Sequence, residues 1–140
     1  MSRIFLFILA AALAASCTRT EDAEHQPSVA QAPGATEALR TMLEGYDGLE
    51  LIVTDLVIPP DAPAPRHYHP GEELVYMIKG SAIHVEDGQP DRLVTAGEAF
   101  VIPRGAVHAP RGGPLGARAI LVHVVPAGEE VRVLVGEKTE

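Results

Sequence analysis

From Leu49 onward the chain is divided into short runs rich in Val, Ile and Leu, each stopped by Gly, Pro or Asp. The runs are Leu49 to Ile58, Glu73 to Lys79, Ser81 to Glu86, Ala99 to Ile102, Arg118 to Val125 and Val131 to Val135. Strands at turn spacing point to an all-β sandwich or barrel. Asp87-Gly88 is a hairpin turn by composition, since Gly accepts the positive φ that such turns need. Pro59-Pro60 and Pro63-Ala64-Pro65 force extended backbone and remove ladder donors, so that segment reads as a strand connection or an edge. The stretch from Thr36 to Glu44 has local helix propensity, but a barrel would use Leu39 to Leu43 as its first edge strand, and the strand is the reading adopted. With 140 residues, 46% of them apolar, the chain has material for one core and none for a second catalytic domain.

The ends of the chain carry a different message. Met1-Ser2-Arg3 is positively charged, and Ile4 to Ala15 is an unbroken apolar run that ends in small residues before Ser16 and the sole cysteine, Cys17. Residues 1–17 therefore read as an export signal, too short for a spanning helix. Leu13-Ala14-Ala15-Ser16-Cys17 resembles the lipobox of bacterial lipoproteins, although Ala14 stands where that family prefers Leu. Lipidation of Cys17 is the reading adopted, which would hold the chain at a membrane of the cell envelope or periplasm through its acyl chains alone. Cleavage after Ala14 or Ala15 is the other reading, and it would leave a lone thiol in an oxidising compartment. Residues 18–36 are polar, Pro-containing and aperiodic, a flexible linker that includes a solvated His25. The domain proper is expected over residues 37–140. Nineteen acidic residues against eleven basic ones, with no basic run, exclude the positive stripe that nucleic-acid binding requires.

The chemistry lies in two clusters. His67 and His69 are two apart in a proline-flanked segment, and in extended backbone such residues point to one face. Pro70-Gly71-Glu72 makes a turn, after which Glu73 can return its carboxylate to the same side. Further on, Gly97 to His108 supplies a strand, a Pro/Gly turn and another histidine. Paired against the first cluster in a barrel, it could place His108 opposite the others.

These residues resemble the cupins. The first cupin motif, HxH(x)3E(x)6G, is met by His67, His69, Glu73 and Gly80, and the second, G(x)5PxG(x)2H, by Gly97, Pro103, Gly105 and His108. The resemblance runs from about Leu39 to Val135 and implies a single-domain jelly-roll β-barrel with one metal ion on His67, His69, Glu73 and His108. Asp61 stands where the family often has the Gly opening the first motif, and Gly112 where many members have the Asn closing the second.

Three imidazoles and a carboxylate facing a barrel interior would each cost roughly 1 to 3 kcal/mol if left without partners. A divalent cation removes that cost. Three nitrogens and one oxygen suit Mn, Fe, Co, Ni, Cu or Zn, and the spacing does not choose among them. Six-coordination would leave two positions open, whereas tetrahedral Zn on all four side chains would be closed. Val75 and Met77 share strand parity with Glu73 and should line the pocket, as should Phe100 and Ile102 if their strand faces inward. Tyr76, of opposite parity, reads as packing. Ile83 and Val85 point His84 to solvent, although cupins commonly turn the other parity of this strand inward; a slip of one residue decides it. Outward Ile83 and Val85 would suit a homodimer contact. His123, in an apolar strand, reads as a satisfied barrel residue rather than a further ligand. With no second carboxylate recognised beside the ligands, acid–base work would fall to a water on the metal, to Glu73 or to an outside residue.

Two classes of function follow. The first is a metal-dependent enzyme of dioxygenase type acting on a small molecule, a reaction class that comes from the resemblance. The second is a non-catalytic envelope lipoprotein that captures a small ligand or a metal. Isomerase and lyase chemistry stand as a third possibility, since fold does not fix function.

Overall fold

The structure is a computed structural model that describes residues 33–136. The export signal, Cys17 and His25 lie outside the described residues. Among the described residues eight strands follow one another: β1 (Gly34–Met42), β2 (Leu49–Ile58), β3 (His67–Tyr68), β4 (Glu72–His84), β5 (Arg92–Thr95), β6 (Ala99–Ile102), β7 (Arg111–Pro126) and β8 (Val133–Leu134). The larger sheet has the order β1-β2-β7-β4-β5 with β6 also on β4, and β3 and β8 form a second sheet. Every pairing is antiparallel. This is the all-β architecture that the strand pattern implies and the jelly roll that the resemblance implies.

The edge strand expected near Leu39 is β1, but it starts at Gly34, so Gly34 to Thr36 belong to a strand and not to the linker. Glu73 to Lys79 and Ser81 to Glu86 are not two strands. They are one, β4, because Gly80 bends the chain with φ 74° while the ladder to β7 continues on both sides of it. A Cβ at Gly80 would lie 2.0 Å from the Gly116 carbonyl oxygen, so the two strands cross at glycines. The run Arg118 to Val125 extends back to Arg111, since glycines that hide the strand pattern are what let β7 follow the bend in β4. β5 and β3 had no run of their own in the sequence.

Both departures from the cupin motifs have a structural account. Asp61 has φ 55°, a left-handed conformation that Gly takes freely and Asp tolerates better than most residues. A Cβ at Gly112 would sit 2.2 Å from the Pro59 carbonyl oxygen, so the chain path found here leaves no room for an asparagine.

The core lies between the strands, with Ile58, Val75, Met77, Val94, Ile102 and Leu121 among its buried members. Burying each such side chain contributes roughly 1.5 to 3 kcal/mol. The ladder irregularities at Met77/Lys79 and Gly80/Ala82 have a further effect: they switch the inward parity of β4. Glu73, Val75 and Met77 face the core before the bend, and Ala82 and His84 face it after.

Candidate metal centre

His67 ends the proline-rich connection and is tied to the second cluster by a two-way backbone bridge. Its N–H donates to the His108 carbonyl at 2.9 Å, and the His108 N–H donates to the His67 carbonyl at 2.8 Å. The bridge brings the two rings together, with centroids 4.3 Å apart and planes inclined by 54°. His69 follows two residues after His67 on the same side, its ring centroid 4.9 Å from that of His67 and 5.2 Å from that of His108. Glu73 enters on β4, in register with Ile102 of β6 on one flank and His123 of β7 on the other. Its Oε2 lies 2.8 Å from His69 Nε2 and 3.6 Å from His108 Nε2.

The three rings are oriented by main chain alone. His67 Nδ1 donates to the Pro65 carbonyl at 2.7 Å, His69 Nδ1 to the Val131 carbonyl at 2.5 Å and His108 Nδ1 to the Ala106 carbonyl at 3.0 Å, with tautomers assigned from these acceptors. In each neutral ring this leaves Nε2 as the lone-pair nitrogen, the second-sphere arrangement typical of metal-ligating histidines. The Val131 anchor comes from the segment before β8, and that segment is held in turn by the β3–β8 pairing, by Val135 N–H to the Arg66 carbonyl at 3.1 Å and by Arg66 to the Gly136 carbonyl at 2.9 Å.

The donor set fits a divalent cation. His69 Nε2 and Glu73 Oε2 are buried and, although only 2.8 Å apart, are not aligned as a hydrogen bond, so neither has a partner. Polar atoms withdrawn from water without partners are unfavourable, and an ion among them would satisfy both. His67, His69 and His108 each offer a ligand atom, all within 4.8 Å of one another.

Electrostatics keep most of these nitrogens free of protons. Burial pushes His67 down to about 4 and His123 to about 4, and it lowers His108 as well. Burial also opposes charge on His69 and Glu73, but their proximity outweighs it, raising His69 and lowering Glu73. A stability profile follows for the metal-free protein. Rings that stay neutral when folded, but take protons when unfolded, contribute stability above pH 6.5 that is lost as the pH falls to about 4, on the order of 2 kcal/mol each. The raised His69 works the other way, contributing below pH 6.5 and losing that contribution as the pH climbs through its folded value. The lowered rings outnumber it, so urea unfolding of metal-free protein should give lower stability at pH 4.5 than at pH 7. Stability that increased on acidification would contradict this assignment of charge.

These side chains lie in a cavity of about 820 Å³ within the barrel. Val75, Met77, Phe100 and Ile102 line it, Phe100 being the only one of the four that is not buried. Tyr76 points outward and is 46% exposed. His84 is not at the surface. The parity switch in β4 turns it into the cavity, its ring centroid 5.0 Å from that of Phe100 and 5.5 Å from that of His108. Its Nε2 lies 3.0 Å from Glu86 Oε2. A second carboxylate therefore does stand near the ligands, paired with a histidine. The i, i+2 spacing of His84 and Glu86 was a visible signal for it, hidden by the assumption that Ile83 faces in. His123 is buried as expected but not satisfied, since neither ring nitrogen has a hydrogen-bond partner.

The model of the cupin domain matches residues 54–125, just over half of the chain, and spans both histidine clusters. The chain belongs to the cupin family. Solved structures agree on the fold of this cupin. It is 27% identical to the DMSP lyase of Ruegeria pomeroyi, with a TM-score of 0.55, over 71% of this chain and 52% of that one, so it spans about half the length of that relative. A cupin-like protein of Thermotoga maritima is 23% identical with a TM-score of 0.57, covering 76% of this chain and 77% of that one. A mutant oxalate decarboxylase of Bacillus subtilis is 21% identical with a TM-score of 0.56, covering 75% of this cupin and 29% of its own chain. No curated protein matches the chain in sequence.

Proposed function

We propose that this cupin is a metal-dependent enzyme that acts on a small molecule bound in its barrel cavity, oxidatively in the manner of a dioxygenase. One observation carries the proposal: three imidazoles fixed at Nδ1 by main-chain carbonyls gather with a buried carboxylate, two of them with Nε2 at 2.8 and 3.6 Å from it, inside a cavity of about 820 Å³. A volume of that size accepts a small organic ligand beside the ligating groups. A divalent transition ion on His67, His69, Glu73 and His108 would supply Lewis acidity towards a substrate oxygen and, if redox-active, electrons for dioxygen.

The chain's own residues account for the rest of the chemistry. Val75, Met77, Leu121 and Ile102 give the cavity apolar walls that exclude water and pack against substrate carbon. Glu86 accepts a hydrogen bond from His84 Nε2, which leaves Nδ1 of a neutral His84 as the nitrogen able to take a proton from a substrate hydroxyl or an acidic C–H. His84→Gln is expected to lower turnover about 100-fold or more with metal content unchanged. Equal turnover in the variant would remove His84 from the chemistry. If residues 1–17 are an export signal and Cys17 is lipidated, the activity belongs to the cell envelope.

A lyase is the second reading, favoured by the 27% identity to a DMSP lyase and by a base placed in the cavity. Oxygen uptake separates the two. Protein loaded with Fe, Mn or Ni and offered polyphenolic, thiol and enol substrates should consume dioxygen if the first reading is right, whereas product formed equally without air favours the lyase. No turnover with any metal would leave a binding module.

A further inference from the structure

The ligands inferred above leave one imidazole of the same cavity without a role. His123 sits on β7 between Ile52 and Glu73 in the ladder, is 2% exposed, and has no hydrogen-bond partner on either ring nitrogen. An apolar side chain would fill this place among Val and Leu neighbours without burying two polar atoms. Two potential donors to an ion stand beside it in the cavity, Glu73 and His69. Nε2 lies 3.8 Å from Glu73 Oε1, the carboxylate oxygen turned away from His69, and the ring centroid lies 4.7 Å from that of His69. His69, Glu73 and His123 each offer a ligand atom, and these lie within 4.8 Å of one another, as do those of His67, His69 and His108. The two trios share His69.

We propose that His123 is a fifth protein donor of the metal centre, joining His67, His69, Glu73 and His108 around one ion. The inference rests on the reading of those four side chains as ligands. It accounts for both Glu73 oxygens: Oε2 faces His69 and His108, and Oε1 faces His123. On a six-coordinate ion, five protein donors leave one position for an outside ligand rather than two. No carbonyl anchors the His123 ring as Pro65, Val131 and Ala106 anchor the other three. It is therefore the weakest donor, and its loss should cost about as much affinity as the loss of an outer-sphere partner, about 10- to 100-fold.

The test uses the full chain loaded with Co(II), whose visible absorption responds to coordination number and donor type. His123→Leu, which fills the same space, and His123→Gln are compared with the unchanged protein by spectrum and by competition with a chelator of known affinity. Both variants should still take up one ion per chain, with an altered spectrum and affinity lower by about 10- to 100-fold. Unchanged spectra in both would overturn the proposal. So would a normal spectrum in the Gln variant alone, which would assign His123 to a hydrogen bond with Glu73 instead of to the ion. His67→Ala run alongside keeps the two claims apart: if it binds Co(II) as the unchanged protein does, the four-ligand reading itself fails.

Discussion

Replacing His67 by alanine should abolish the metal-dependent part of the protein's thermal stability. An ion that binds only the folded chain, present at 1,000 times its dissociation constant, adds about 4 kcal/mol. For a domain of this size, that corresponds to a rise in Tm of roughly 15 to 30 °C. In the unchanged protein, calorimetry with and without Mn, Fe, Co, Ni, Cu or Zn should show such a rise for at least one of them. The variant should show none and should come through purification without stoichiometric metal. The Pro65 anchor makes the His67 ring hard to replace, because the two neighbouring rings held in the same way, His69 and His108, are already donors of the inferred site. Equal metal content in the variant and the unchanged protein would remove His67 from the site.

The second large effect involves a residue with no side chain. At Gly71, a Cβ would lie 1.8 Å from the Val124 carbonyl oxygen, 2.7 Å from its carbon and 2.8 Å from the Val125 Cα. All three are backbone atoms of the strand that pairs with β4 from Glu72 onward, so none can swing aside. Gly71→Ala should therefore force β4 away from β7 at the place where Glu73 meets His123. The expected cost is more than about 3 kcal/mol, in the range reserved for overpacking and strain. Metal affinity should fall with it. Gly97→Ala makes the comparison: its φ is 91°, but a Cβ there would meet nothing within 4 Å, so only the conformational cost of about 1 to 2 kcal/mol applies. Denaturant unfolding of the two variants measures the difference, and equal losses would mean that the strands shift to relieve the contact at Gly71, whose φ is not in the left-handed region.

The sequence made parts of this structure legible and hid others for identifiable reasons. Strands β2 and β6 run over the residues that their composition marks, because Val, Ile and Leu runs ending at Gly and Pro leave little freedom in where a strand begins and stops. The two histidine clusters could be recognised because their spacing combines turn residues with donors. The parity of β4 could not be read, because it depends on two ladder irregularities that a neighbouring strand imposes. Ile83 and Val85 point His84 outward in the sequence, and those irregularities turn it inward instead, where it pairs with Glu86. The carbonyl anchors at Pro65, Ala106 and Val131 leave no trace in sequence, since every residue has a carbonyl and only the folded path brings one to an imidazole.

One of those anchors stands apart in how it is held. Pro65 and Ala106 lie two residues from the rings they fix, but the Val131 carbonyl reaches His69 across 62 positions of the chain. It does so from a segment whose own strand, β8, makes two residue pairs with β3. So short a ladder opens locally at a small fraction of the free energy needed to unfold the barrel. Each opening frees the His69 ring to rotate. For an ion held on His69, a protease or antibody acting on residues 131–136 is therefore expected to change how fast metal exchanges without touching a ligand, a change that chelator-driven release would measure.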